Sequence, residues 1–164
     1  MKIAVMSDTH LREGKSLPRW VWEQVEGVDL ILHAGDVIDI GLLTDLKQVA
    51  PLEAVKGNCD GWELARLPQR SIVSCGEIKI GLTHGAEGPG RTTTERAMRN
   101  FEHDQVDLII FGHSHEPYLK KHGEILLFNP GSPTDKRRQT SYSMGIVNIA
   151  GKEIDARHIF SESR

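Results

Sequence analysis

Five short apolar runs punctuate the chain: residues 2–6 (KIAVM), 29–34 (DLILHA), 52–56 (LEAVK), 78–83 (IKIGLT) and 107–111 (DLIIF). Each is rich in Ile, Leu or Val and closes on a polar turn with Gly, Asp or Asn, the pattern of strands buried on both faces. Helices are predicted between some of them. One covers 18–26, with Pro18 suited to a first turn; the others cover 41–49 and 92–102, the last with Thr92, Thr93 and Thr94 as candidate N-caps. The first half therefore reads strand, helix, strand, helix, strand.

The rhythm changes after residue 70. SIVSCGEIKIGLT (71–83), YLKKHGEILLF (118–128) and YSMGIVNIAGKEIDARHI (142–159) each hold two strand-like runs around a glycine turn, at Cys75-Gly76-Glu77, His122-Gly123 and Ala150-Gly151. Hairpins following a strand–helix alternation imply an α/β domain with two sheets, not one wholly parallel sheet. Long loops remain at 12–16, 85–94 and 129–140, and long loops in compact domains often carry function.

Composition narrows the class. The 164 residues suit one domain, 1–164, with a single core. A net charge of −3 with 38% apolar and 5% aromatic residues describes a soluble protein without a nucleic-acid-binding bias. The opening MKIAVMSDTH turns polar too early for a signal peptide, and no run approaches the roughly 18 to 20 apolar residues of a membrane span. Only Cys59 and Cys75 are present, so a reducing cytoplasm is expected. Trp20 and Trp22 should straddle a helix, one buried and one exposed, and with Trp62 they offer apolar surface for homo-oligomer contacts.

Chemistry-bearing residues follow the strands. KIAVM leads into Asp8 and His10, DLILHA into Asp36, LEAVK into Asn58, Cys59 and Asp60, IKIGLT into His84, and DLIIF into His113 and His115. Ligands in α/β folds gather at the carboxyl ends of strands, so five such loops can meet on one rim. Two aspartates, an asparagine and four histidines form a hard-oxygen and imidazole set suited to a pair of divalent ions, whereas structural zinc or iron–sulfur sites call for clustered thiolates. Asp8 with His10, and His113 with His115, lie two apart, and extended backbone would turn each pair toward the same side. Gly35, Gly57, Gly85 and Gly112 fit beside them, where tight loops need unusual φ or close backbone approach.

In their order, D-x-H, G-D-x-x-D, G-N-x-D, H-G and G-H-x-H, followed by Asn129-Pro130-Gly131-Ser132, resemble the calcineurin-like metallophosphoesterase family, in particular its small bacterial and archaeal phosphodiesterases. The resemblance implies a four-layer αββα sandwich, two mixed β-sheets flanked by helices. It also implies one metal on Asp8, His10, Asp36 and His115 and a second on Asp36, Asn58, His84 and His113. Manganese is the first choice of metal, with nickel, iron, zinc, cobalt or magnesium as alternatives.

Two cations about 3.5 to 4 Å apart can share a water, lower its pKa and aim the hydroxide at phosphorus, which gives direct hydrolysis of a small phosphoester without a protein nucleophile. Around this centre, Asn58, Cys59, Asp60 and His84 are the candidate catalytic residues. Cys59 stands where many relatives place a histidine, and reads either as a thiol activated by nearby charge or as a small filler. Asp60 reads as a proton donor, a histidine-orienting group or a capping aspartate. Asp39 reads as a carboxylate behind a ligating imidazole or as a helix N-terminal residue. Arg137 or Arg138, in the Lys136–Arg138 run, is a candidate clamp for substrate phosphate. His33 is expected to pack near the site without liganding, and His103, His122 and His158 to lie away from it. A phosphomonoesterase with the same centre is the nearest alternative; a protein-interaction scaffold of the retromer-subunit type, which in the family accompanies a degraded ligand set, is the other.

Overall fold

The computed structural model describes residues 1–164, and its ten strands form two five-stranded sheets. The first contains β1 (Lys2–Met6), β2 (Leu30–His33) and β3 (Leu52–Ala54), with β9 (Tyr142–Ala150) and β10 (Glu153–Ser161), in the order β10-β9-β1-β2-β3. The second contains β4 (Arg70–Cys75), β5 (Ile78–Thr83), β6 (Leu108–Ile110), β7 (Tyr118–His122) and β8 (Ile125–Asn129), in the order β4-β5-β6-β8-β7. Strands β1, β2 and β3 run parallel, as do β5, β6 and β8, while the three hairpins β4–β5, β7–β8 and β9–β10 supply the antiparallel edges. Both sheets are thus mixed.

Period-two alternation sorts the side chains into layers. Ile3 and Val5, Leu30 and Leu32, and Leu108 and Ile110 face the interior between the sheets, where they meet Ile80, Leu82 and Phe128. The intervening Ala4, Met6 and Ile31 face the opposite way, onto Val21 and Val25 of α1 (Arg19–Val25) and Leu42, Leu43 and Leu46 of α2 (Ile40–Val49). Ile109 and Leu127 cover the outer face of the second sheet with Ala97 of α3 (Thr93–Arg99) and with Phe101. Helix, sheet, sheet, helix is therefore the order of layers expected from the resemblance. No helix is long and apolar enough to cross a membrane.

Some local expectations change. Pro18 occupies the position before α1, with extended ψ of 149°, and not its first turn. Trp20 and Trp22 are both half-buried, because Val21 and Val25, one turn apart, supply the inward face and the indoles flank it. Helix α3 starts where a threonine was expected to cap it: Thr92 accepts from the Glu95 amide at 3.1 Å, and Glu95 reaches back to the Arg91 amide at 2.7 Å. It ends at Arg99 and not at residue 102.

Candidate metal centre

The chain leaves β1, β2, β3, β5 and β6 into loops that hydrogen-bond to one another past the strand ends. Asp8 N donates to Gly35 O at 3.0 Å, His10 N to Asp36 O at 3.1 Å and Gly112 N to His84 O at 3.1 Å. These bonds tie the loops within each sheet, while the His113 amide on Asp8 and the His84 ring on Ala34 O join the two sheets across the top of the sandwich, where Asp8 and Asp36 are buried.

The D-x-H and H-x-H pairs do not lie in extended backbone, contrary to the sequence expectation. Asp8, His10, Asp36, His113 and His115 adopt positive φ of 54°, 44°, 55°, 69° and 58°. Left-handed backbone costs such residues about 1–2 kcal/mol each. In return it curls each loop tightly enough to aim two side chains inward and turn the His113 amide onto Asp8 Oδ2 at 2.9 Å. Gly112 and Gly57 permit this approach: a Cβ on Gly112 would overlap Ser7 Oγ, and one on Gly57 would overlap the Asp36 carboxylate.

Two carboxylates and three imidazoles meet here. His115 Nε2 lies 3.4 Å from Asp8 Oδ1, His10 Nε2 3.4 Å from Asp36 Oδ2, and His84 Nε2 3.3 Å from Asp36 Oδ2. His10 Nε2 and His115 Nε2 are 3.2 Å apart, and Asn58 Oδ1 is 3.1 Å from His84 Nε2. Second-sphere carbonyls select which ring nitrogen faces inward: His84 Nδ1 donates to Ala34 O at 2.8 Å and His115 Nδ1 to Asp135 O at 2.5 Å. In the neutral rings both Nε2 atoms then carry lone pairs, that of His84 directed at Asp36 and Asn58 and that of His115 at Asp8 and His10. Converging lone pairs repel unless a proton or a cation lies among them, so this donor set fits divalent ions.

Electrostatics agree with a cation-hungry centre. Burial raises the Asp8 carboxyl to about 7, against the opposing pull of His84, the Ser7 hydroxyl and the His113 amide. Burial also acts to raise Asp36, but its bond to His84, the His84 charge and the Cys59 amide outweigh this and hold it well below the usual carboxylate range. Burial lowers His115 to about 4. His84 is raised, because Asp36 and Asp8 overcome the effect of its burial.

The Calcineurin-like phosphoesterase superfamily domain model matches residues 1–152. This chain belongs to that superfamily. A protein named as a probable metallophosphoesterase from Methanothermobacter thermautotrophicus is 36% identical, with 97% of this chain and 92% of the relative covered. A phosphodiesterase of Methanocaldococcus jannaschii is 27% identical over 80% of this chain and 83% of its own. Vps29 of Chaetomium thermophilum shares the fold at 18% identity, with a TM-score of 0.78 and 97% of each chain covered.

Against this phosphoesterase framework the remaining candidates can be placed. His113 stands slightly apart, its ring packed edge-on against His84 with centroids 5.2 Å apart. Cys59 is exposed, its amide donating to Asp36 Oδ1 at 2.8 Å, and partial burial of the thiol with the Asp36 charge raises it to about 11. Asp60 is buried and its carboxylate accepts from the amides of Asp36 (3.1 Å), Ile38 (2.8 Å) and Gly57 (2.7 Å). Those bonds clamp the Asp36 loop to the end of the 57–60 turn. Asp39 caps α2 by accepting from Gly41 N at 2.9 Å, the helix-terminal one of its two readings.

Arg137 and Arg138 separate. The Arg137 charge opposes protonation of His113 and His115, and its Nε lies 3.8 Å from Asp135 Oδ2, whereas Arg138 is exposed and takes no part in these contacts. Lys136 is directed at Thr140 O and the Tyr142 ring. His33 is buried beside the centre with Nε2 3.2 Å from Thr9 Oγ1, while His158, His122 and His103 lie on Asn129 O, Tyr118 and Glu102.

Several functional supports escaped the sequence reading. Ser132 Oγ donates to Asp8 O at 2.7 Å, Thr134 Oγ1 to Thr9 O at 2.5 Å, and Asn129 Nδ2 to Gly112 O at 2.9 Å. The Asn129–Thr134 segment is thus a brace that fixes both ligand loops through their carbonyls. Arg96 does the same for the 85–90 loop, donating to Gly85 O at 2.8 Å and Gly90 O at 3.4 Å. The N-P-G-S signature marked the first; an arginine on a short helix gave no signal for the second.

Proposed function

We propose that this chain is a dinuclear metal-dependent phosphodiesterase acting on a small phosphoester. The observation that carries the reading is the pairing of Nδ1–carbonyl bonds at His84 and His115 with two buried aspartates, an arrangement that presents Nε2 lone pairs and carboxylate oxygens to two adjoining clusters, Asp8–His10–His115 and Asp8–Asp36–His84. Asp8, His10, Asp36 and His115 would hold one ion, and Asp36, Asn58, His84 and His113 the other. When bound, the ions would activate water for attack at phosphorus and offset the negative charge that develops there. Asp60 and the Asn129–Thr134 brace would keep the ligands in place, and Arg137, whose charge reaches His113 and His115, would bind a phosphoryl oxygen. Its Asp135 partner and exposure leave it adjustable. No protein nucleophile is called for, since the attacking group would come from the activated water.

The diester preference is supported by the Methanocaldococcus relative's name. The retromer-type scaffold reading draws on the fold shared with Vps29, but an undegraded set of seven ligand-type residues favours hydrolysis. Asp36→Ala should abolish turnover of bis(p-nitrophenyl) phosphate and remove about two metals per chain by elemental analysis. Undiminished turnover in the stripped and re-supplied variant would refute the centre. Faster hydrolysis of p-nitrophenyl phosphate than of the diester by the parent protein would favour the monoesterase.

A further inference from the structure

A cleft of about 300 Å³ opens beside Asn58 and His84, on the side of the centre away from His10 and His115. Its walls come from the end of β3, the start of β4 and the loop after β5, and α3 closes it through Asn100. Of its 12 lining residues only one is hydrophobic. Pockets that receive aryl or acyl groups are lined mainly by apolar and aromatic side chains, so this lining excludes such groups and calls for a hydrogen-bonding guest.

The polar groups are organised. Asn100 Nδ2 donates to Thr83 Oγ1 at 2.9 Å, and Thr83 Oγ1 in turn donates to Gln69 O at 3.5 Å. This leaves the Asn100 and Gln69 side-chain carbonyls as acceptors and the Gln69 amide as a donor. Arg70 is held by Asp104 at 2.7 Å and lies over the Phe101 ring at 5.0 Å. The Lys56 ammonium has no carboxylate partner. Glu87 stands in the same wall.

Charge decides between two kinds of polar guest. Arg70 is paired with Asp104, and Lys56 and Glu87, though unpaired, carry opposite charges in the same lining, so these four groups sum to zero and the cleft holds no surplus positive charge for a second phosphate. Donors and acceptors remain in both signs, the complement of hydroxyl groups. The size lies at the low end of ligand pockets, roughly 300–1,000 Å³, and suits one sugar ring or polyol more than a nucleoside or lipid.

Resting on the phosphodiesterase reading above, we infer that this cleft receives one ester arm of the substrate and that the arm is a neutral, hydroxyl-rich alcohol of monosaccharide or polyol size. The phosphodiester then sits at the metal centre with this arm extended past Asn58 and His84 toward Gln69 and Thr83.

The test compares three p-nitrophenyl phosphodiesters sharing one leaving group, with the second arm methyl glucoside (through O6), phenyl, or glycerol bearing a further phosphate, each with manganese-loaded protein. The sugar ester should exceed the other two by 10-fold or more in kcat/KM, mainly through KM. Gln69→Leu and Lys56→Met should each shrink that ratio several-fold, and calorimetry should show methyl glucoside 6-phosphate binding more tightly than phenyl phosphate. Equal kcat/KM for sugar and phenyl esters, preference for the phosphorylated arm, or an unchanged ratio in both variants would overturn the inference and leave the phosphodiesterase reading standing. Hydrolysis of none of the three with any first-row metal would overturn the phosphodiesterase reading, and the subsite with it.

Discussion

Acidification should destabilise the metal-free protein through His33, and the size of the effect can be worked from its surroundings. The ring is fully buried, Nδ1 has no hydrogen-bond partner and Nε2 meets only Thr9 Oγ1. Thr9 Oγ1 also faces the carbonyls of Asp36 and Val37, at 3.5 and 3.4 Å, so its proton goes to them and His33 Nε2–H donates to the hydroxyl. A second ring proton would be buried without an acceptor. Burial, reinforced by the His84 charge, accordingly lowers His33 from 6.5 to about 3. Between these limits the unfolded chain binds a proton that the native state excludes, so stability rises with pH through the window and levels off above about 6.5. At about 1.4 kcal/mol per pH unit, the loss attributable to His33 by pH 4.5 is about 3 kcal/mol, a large share of a typical 5–15 kcal/mol.

Asp8, raised to about 7, works in the opposite direction: its protonated native form contributes stability at low pH that is lost as pH rises from 3.8 through 7. The measurement must therefore be a difference. Urea unfolding of metal-free parent and His33→Gln proteins, from pH 7.5 to 4.5, should show the parent's advantage shrinking by about 3 kcal/mol on acidification. A difference that stays flat within 0.5 kcal/mol, or His33 ring resonances that titrate above about pH 5, would refute the reasoning.

Other consequences follow from the loops. Asp60→Ala should cost about 2–4 kcal/mol in urea unfolding, since three backbone amides lose their acceptor; any residual turnover should keep the parent's pH profile, the result expected of a clamp and not of a proton donor. Gly112→Ala should destabilise by several kcal/mol and weaken metal binding, as its Cβ must displace Ser7 and Asp8, measurable by thermal melts with and without manganese. Metal occupancy should fall as pH drops below about 7, since Asp8 at about 7 and the raised His84 must release protons to become ligands; retention of full occupancy in dialysis at pH 5 would contradict both.

The sequence made some of this fold legible because of how the strands are buried. Strands β1 and β5 have the predicted limits, Lys2–Met6 and Ile78–Thr83, since β1 beyond Lys2 and β5 beyond Lys79 are buried on both faces. Strand β3 ends at Ala54, two residues early, although Val55 N still donates to His33 O. The residue types of the candidate centre were visible because each follows an apolar run. Their backbone was not: alternation in the sequence reads the same whether the chain is extended or left-handed, and only the contact of the 8–10, 36–38 and 112–115 loops imposes the latter. The role of Asp60 was hidden for the same reason, since its amide donors at Asp36 and Ile38 lie more than twenty residues away.

The brace from Ser132 and Thr134 to the 8–10 loop joins parts of the chain 124 and 125 residues apart. During synthesis, Asp8, His10 and Asp36 leave the ribosome well before His113, His115 and the brace exist, and at about 5–20 residues per second that gap lasts from several seconds to tens of seconds. For that interval the early ligands form at most half a coordination shell with nothing holding its carbonyls. For the metal centre proposed above, capture would therefore belong to the end of folding: the ion would be selected by a finished cage from what the cell offers at that moment, and would not be the template around which β1 and β2 first pair.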